Sequence, residues 1–212
     1  MSPLMNPIKG LYPVTPDLAD TALLVGKVQR VLAGGAQVLQ YRNKTADDAT
    51  RRAQAAALLE VCRRHGALLI INDDVELARE LGADGVHVGA DDAAVAAART
   101  RLGAGRIVGA SCYNDLARAQ SAATAGADYI AFGSFFASRV KPGAVRAQLS
   151  LLSAARGLGL PVVAIGGITL ENAGALIAAG ADAVAVISAL FAAPVAGIAA
   201  REFGRLFQAK VA

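Results

Sequence analysis

Apolar positions along this chain fall into short β-branched runs, separated by longer Ala-, Leu-, Arg- and Glu-rich stretches of helical character. The short runs predict eight strands: LYPVT (11–15), VLQYR (38–42), LLIIN (68–72), GVHVG (85–89), RIVGAS (106–111), YIAFGS (129–134), PVVAIGG (161–167) and AVAVIS (183–188). Strict alternation of strand and helix implies a parallel sheet. A recurring phrase supports the count: GADG at 82–85, GADY at 126–129 and GADA at 180–183, with GGAQ at 34–37 as a degraded copy. In each, Gly suits the left-handed cap that ends a helix, and the short polar turn feeds the next strand. Asp84, Asp128 and Asp182 therefore sit at strand starts and read as structural.

Eight such units fit a closed (β/α)8 barrel, the TIM barrel of the α/β class, as a single domain over residues 1–212. The chain is near the lower limit of roughly 200 residues for that fold, so its helices and loops must be short. An open doubly wound sheet is the alternative. Its dinucleotide fingerprint is missing, because GAGRIVG (103–109) precedes a strand rather than following one.

Composition narrows the picture. A hydrophobic fraction of 55% with 5% aromatics means that small aliphatic side chains fill the core, as in parallel strands covered on both faces. The net charge of +4 is scattered: only Arg51/Arg52 and Arg63/Arg64 are adjacent, both in one Ala-rich helical stretch. No nucleic acid partner is expected, whereas anionic small molecules are. Cys62 and Cys112 lie far apart without metal-site spacing, so neither a disulfide nor a zinc site is indicated. MSPLMNPIKG lacks the pattern of a signal peptide, and no apolar stretch of about 18 residues is free of Gly, Pro and charge. A soluble cytoplasmic protein with no membrane partner is expected.

In a barrel of this kind the C-terminal ends of the strands carry the chemistry, and the unusual polar residues fall there. In VLQYRNK, alternation puts Gln40, Arg42 and Lys44 on one face and turns Leu39 and Tyr41 to the other. Two cations and an amide on one side of a buried strand call for an anionic ligand at the barrel mouth. Asn72, Asp73 and Asp74 in IINDD, and Asp91 and Asp92 in GADD, lie at the exits of neighbouring strands. Mg²⁺ commonly takes one or two protein carboxylates and completes its octahedron with water and phosphate oxygens; Asp74 or Asp91 is expected as a helix N-cap instead. AIGGI after the seventh strand and VIS at the end of the eighth occupy a place where barrels bind phosphate through backbone N–H groups. His87, in mid-strand, reads as a packed, hydrogen-bonded residue rather than an acid or base. Cys112 beside Ser111 has no partnered His. Chemistry here must rest on metal, cations and positioning.

The phrases LYPVT, VLQYRNK, IINDD, DGVHVGADD, VGAS, GADYIAFGSFFAS with Lys141, AIGGIT and VISAL together resemble the thiamine phosphate synthase family over essentially the whole chain. The resemblance implies a (β/α)8 transferase joining hydroxymethylpyrimidine diphosphate to thiazole ethyl phosphate, or its carboxylated form, and releasing diphosphate by a dissociative, Mg²⁺-assisted alkyl transfer. By that likeness Arg42, Lys44 and Lys141 are catalytic. Gln40, Asn72 and Ser111 join them in holding the pyrimidine diphosphate, and Tyr41 and Asn43 are counted with the substrate-binding residues of the same phrase. Ser138, Gly167, Ile187 and Ser188 hold the thiazole phosphate, and Asp73 and Asp92 the metal. A homo-oligomer is common for such barrels. The chain departs from the family where Val140 stands for a Thr, Ala90 for a common Gln and Tyr113 for a common His, which bears on affinity more than on reaction type. A barrel paralogue without synthase chemistry, acting as a thiazole isomerase or regulatory binder, is the competing reading; retention of Arg42, Lys44, Asp73, Asp92 and Lys141 argues against it.

Overall fold

The computed structural model describes residues 8–89, 92–137 and 146–208. Eight parallel strands, β1 (Gly10–Pro13), β2 (Val38–Tyr41), β3 (Leu68–Asn72), β4 (Gly85–Val88), β5 (Ile107–Tyr113), β6 (Tyr129–Phe132), β7 (Val162–Ile165) and β8 (Ala183–Val186), pair in chain order, with β1 against β8. A parallel bridge between Val14 and Gln40 joins the two ends of the sheet, and the Thr15 N–H donates to the Gln40 carbonyl at 3.0 Å. The sheet is thereby closed into the expected barrel.

The helices follow the strands on the outside: α1 (Thr21–Ala33), α2 (Asp48–His65), α3 (Val75–Leu81), α4 (Asp92–Leu102), α5 (Leu116–Thr124), α6 (Ser150–Ala154), α7 (Leu170–Ala179), α8 (Ser188–Phe191) and α9 (Ala196–Gln208). Asp20, Asp47, Asp74 and Asp115 cap α1, α2, α3 and α5, each accepting a first-turn backbone N–H. This satisfies donors that a helix start otherwise leaves unpaired. No helix among the described residues is long and apolar enough to cross a membrane.

The Gly-Ala-Asp phrases work as strand ties. Asp84, Asp128 and Asp182 accept from the N–H groups of Leu69, Val108 and Val162 at 2.8, 2.7 and 2.8 Å. Each Asp backbone N–H donates back to the carbonyl of that same residue. A two-point link at the N-terminal end of three strand pairs fixes register, which in a parallel sheet decides which side chains face inward.

Several strands end earlier than the apolar runs. Gly166 and Gly167 take φ of +105° and +62°, outside the β region, so β7 stops at Ile165. Ser188 opens α8 instead of finishing β8. β5 runs longer, through a register shift between Ser111 and Tyr113.

Alternation along the strands separates two apolar layers. Leu39, Leu69, Ile71, Val86, Val108 and Ile130 pack outward against the helices, each burial contributing about 1.5–3 kcal/mol. Tyr12, Val14, Val38, Ile70, Tyr129, Ala131, Val163, Ala183 and Ala185 fill the interior. Most of these are small, which leaves room for two tyrosine rings across the barrel axis. Gly109 is part of that fit: a Cβ there would lie 2.0 Å from Tyr129 Cζ.

Candidate active site

The C-terminal rim of the barrel opens into a cavity of about 690 Å³. Gln40, Arg42, Lys44, Asn72, Asp73, His87 and Ser111 all line it, so the three same-face residues of VLQYRNK do point to one place. Arg42 is kept there by its neighbours. Its backbone N–H donates to Thr15 Oγ1 at 2.8 Å, the Thr15 hydroxyl donates to the Arg42 carbonyl at 2.8 Å, and its Nη1 donates to Asp17 Oδ1 at 3.0 Å. Asp17 also accepts from the Lys44 backbone N–H at 2.9 Å.

At the next strand exit Asp73 adopts φ +64°, a left-handed conformation that Asp tolerates better than most residues. Its N–H donates to the His87 carbonyl at 2.8 Å, and Asn72 Nδ2 donates to its Oδ2 at 2.7 Å. Lys44 Nζ lies 3.8 Å from the same oxygen. The carboxylate is 58% exposed, so it presents free lone pairs to the cavity. Backbone in a sparsely populated region, held by such contacts at a cavity wall, is a mark of functional sites.

Inside the mouth a continuous chain of hydrogen bonds links five strands and returns to the rim. Gln40 Nε2 donates to Tyr12 Oη at 3.2 Å, and the Tyr12 and Tyr129 hydroxyls lie 2.7 Å apart. Tyr129 Oη is 2.9 Å from His87 Nδ1, and His87 Nε2 is 2.8 Å from Ser111 Oγ. The His87 ring stacks on Tyr129 with centroids 5.5 Å apart. Burial pushes the His87 pKa down to about 4, against the opposing pull of the Asp73 charge; burial likewise raises both tyrosines above the ordinary phenol value. His87 is therefore a neutral, packed ring near neutral pH, in keeping with its position in mid-strand.

A second cavity of about 200 Å³ adjoins the first, and the two share Ile165, Gly166, Ala185 and Ile187. Gly167 and Ser188 belong to its lining. The glycine pair has a packing role as well: a Cβ on Gly167 would lie 2.4 Å from the Ala137 carbonyl oxygen, and Phe136 N–H donates to the Gly166 carbonyl at 3.0 Å. The exit of β6 is thus stitched to the turn after β7.

Tyr41 and Asn43 are set apart from both cavities. The Tyr41 hydroxyl donates to Gln54 Oε1 at 2.9 Å, and Asn43 Nδ2 donates to that oxygen at 3.0 Å and to the Leu18 carbonyl at 2.9 Å. Their side chains support the β2–α2 connection from behind and do not reach the cavity. Ser138 and Lys141 lie outside the described residues. Asp92 opens α4, with its side chain also outside them. Among the described residues no group of three or more His, Cys, Asp or Glu side chains comes together.

Three features of the site escaped the sequence reading. Asp17 lies just past the first strand, where a carboxylate at the rim was itself a usable signal. Tyr12 and Tyr129 have the inward parity of their strands, but nothing in the sequence says that they meet. Arg118 also lines the large cavity, with its guanidinium carbon 5.8 Å from the ring centroid of Tyr113, the departure already noted, and its Nε 3.5 Å from Asp115 Oδ2.

The chain is similar to known proteins over nearly its whole length. The family model described as thiamine monophosphate synthase matches residues 11–190. A thiamine-phosphate synthase of Methylobacillus flagellatus is 58% identical over 203 residues, covering 96% of this chain and 97% of the relative. One from Chromobacterium violaceum is 54% identical over 203 residues, covering 96% and 98%. The solved structure of a thiamine phosphate pyrophosphorylase from Pyrococcus furiosus superposes with a TM-score of 0.84 at 32% identity, covering 99% of this chain and all of that one.

Proposed function

This chain belongs to the thiamine monophosphate synthase family, and from that premise we propose how its rim residues divide the work. Its activity is that of a thiamine-phosphate synthase, a transferase. The substrates are a hydroxymethylpyrimidine diphosphate and a thiazole ethyl phosphate or its carboxylated form. The competing reading, an isomerase or regulatory binder on the same barrel, finds no support among the relatives.

One observation carries the assignment of roles: two adjoining cavities share Ile165, Gly166, Ala185 and Ile187, and among the described residues only the larger one is lined by cations, Arg42, Lys44 and Arg118. The diphosphate lies against Arg42, Lys44, Asn72 and Ser111, with Lys141 joining them and the pyrimidine reaching Gln40. The thiazole phosphate takes the smaller cavity, at Gly167, Ile187 and Ser188, together with Ser138. The reacting carbon and the thiazole nitrogen then meet at the shared wall. The C–O bond to the diphosphate breaks and its electron pair leaves with the phosphate; the nitrogen lone pair forms the new C–N bond. No proton has to move in that exchange, so a neutral His87 is no obstacle. Rate comes from stabilising the leaving charge and aligning two bound partners.

The donor set suits Mg²⁺. Asp73 offers an exposed carboxylate beside the cations, and with Asp92 at the neighbouring strand exit it would hold an ion that takes its remaining ligands from phosphate and water. When bound, the metal neutralises the diphosphate as it departs. A cytoplasmic location fits the buried thiol of Cys62. The test is a diphosphate-release assay with the purified protein. Release should require both heterocyclic substrates and Mg²⁺ together; release from the pyrimidine diphosphate alone would mark a hydrolase and sink the reading.

A further inference from the structure

The buried chain from Gln40 to Ser111 has a direction, and the direction decides what Ser111 offers to a ligand. An amide N–H can only donate, and the Gln40 amide nitrogen faces Tyr12 Oη at 3.2 Å. The Tyr12 and Tyr129 hydroxyls lie 2.7 Å apart and either could donate; with Tyr12 only 1% exposed, donation from Tyr12 is the order that gives both hydroxyl protons an acceptor, Tyr129 Oη for one and His87 Nδ1 for the other. Tyr129 has then accepted, and its proton goes on to His87 Nδ1 at 2.9 Å. A neutral ring that accepts at Nδ1 carries its proton on Nε2, and that nitrogen lies 2.8 Å from Ser111 Oγ. Ser111 therefore receives a hydrogen bond from behind. Its single hydroxyl proton is left for the cavity it lines.

Resting on the synthase reading of this cavity, we infer that Tyr12, Tyr129 and His87 are positioning residues, which fix the His87 tautomer and preset Ser111 as a donor to an oxygen of the diphosphate substrate. A serine in water can turn either its proton or its lone pairs toward a ligand. Here His87 takes one lone pair of the Ser111 oxygen and leaves its proton uncommitted, so the hydroxyl is preset to donate to an anionic ligand, as Arg42 and Lys44 beside it do. Preset donors of this kind need no reorganisation when charge develops on the leaving group. Cutting the chain at Tyr129 should free the His87 ring to carry its proton on either nitrogen, and only then would Ser111 be able to turn.

The sequence contains only two histidines, His65 and His87, which makes the tautomer directly readable by nitrogen-15 NMR on histidine-labelled, substrate-free protein. The expected spectrum has His87 protonated at Nε2 and bare at Nδ1; a proton on Nδ1 would overturn the inference by reversing the chain. This readout stands apart from turnover. A protein with the expected tautomer but no synthase activity would refute the proposed function and not the direction of the chain. Kinetics supply the second arm. Ser111→Ala should lower kcat/KM roughly tenfold to a hundredfold, the scale of one hydrogen bond to a charged group. Tyr129→Phe should lower it several-fold alone and by nothing further in the Ser111→Ala background. Full additivity of the two, or an unaffected Ser111→Ala enzyme, would reduce the chain to core packing. If Tyr129→Phe does not fold, the tautomer of the unaltered protein still decides.

Discussion

Asp17 holds Arg42 in place before any ligand arrives: one guanidinium nitrogen, Nη1, lies 3.0 Å from Oδ1 and 3.2 Å from Oδ2 of the same carboxylate. The Oδ1 atom also takes the Lys44 backbone N–H. One acidic residue thus fixes both cations of the VLQYRNK phrase, the first through its head group and the second through its main chain. Asp17→Ala should release Arg42 and lower kcat/KM about tenfold, in line with the loss of one charge-assisted contact, mainly through KM for the pyrimidine diphosphate. The pair is partly exposed, so thermal stability should change by less than about 1 kcal/mol. Steady-state kinetics with each substrate varied in turn checks this; an unchanged KM for the diphosphate would mean that Arg42 is positioned without Asp17.

His87 couples stability to pH. Its folded-state pKa is pushed down to about 4 from 6.5, by burial first. A depressed histidine pKa means that the unfolded chain binds a proton more readily than the native one. The stability owed to neutral His87 is therefore complete above about pH 6.5, declines as pH falls toward about 4 and is gone below that, a change on the order of 3 kcal/mol at most. Urea unfolding between about pH 7 and pH 5 should show this slope, and His87→Gln should flatten it relative to the parent. Equal slopes in the two proteins would rule out a buried neutral imidazole.

Strand alternation made much of the site legible. It turned Gln40, Arg42 and Lys44 to one side, and the coordinates put all three on one cavity wall. The Gly-Ala-Asp phrases announced the strand starts, and Asp84, Asp128 and Asp182 tie those starts together. Alternation fixes a face, however, and not a direction across the barrel. Tyr12 and Tyr129 are 117 residues apart, and their contact depends on which strands stand opposite once the sheet closes. The same limit explains Tyr41 and Asn43. They belong to the phrase that carries the resemblance, yet their odd-numbered positions face α2, where Gln54 satisfies both.

Gly109 shows how tightly the buried tyrosines are packed. A methyl group there would enter the Tyr129 ring, 2.0 Å from Cζ and 2.2 Å from Cε1. Because Tyr129 is itself wedged between Tyr12 and His87, the ring has no free direction in which to retreat. Gly109→Ala should destabilise the fold by roughly 1–3 kcal/mol, the usual cost of overpacking a core, and should lower activity by displacing His87. Denaturant midpoints paired with kinetics test this. Full stability in the alanine variant would show that the Tyr129 ring can yield to a methyl group.

Asp73 provides the sharpest test of the metal assignment, because its charge can be removed with its backbone left nearly undisturbed. Asn tolerates the left-handed conformation at φ +64° almost as well as Asp, so Asp73→Asn isolates the carboxylate from the turn. The side chain is 58% exposed and its ion pair with Lys44 is a loose 3.8 Å, so folding should shift by less than about 1 kcal/mol. Turnover is another matter. Losing one of at most two protein carboxylates should raise the Mg²⁺ concentration for half-maximal rate and lower kcat by at least about tenfold, the range expected when part of a metal's ligand set is lost. Lys44, freed from its partner, would gain freedom toward the diphosphate, so KM for that substrate should fall or hold steady while kcat drops. Titration of the rate against Mg²⁺ for both proteins separates the two effects. A variant with the parent's Mg²⁺ dependence would move the ion away from the exit of β3 and leave Asp73 as a partner for Lys44 alone.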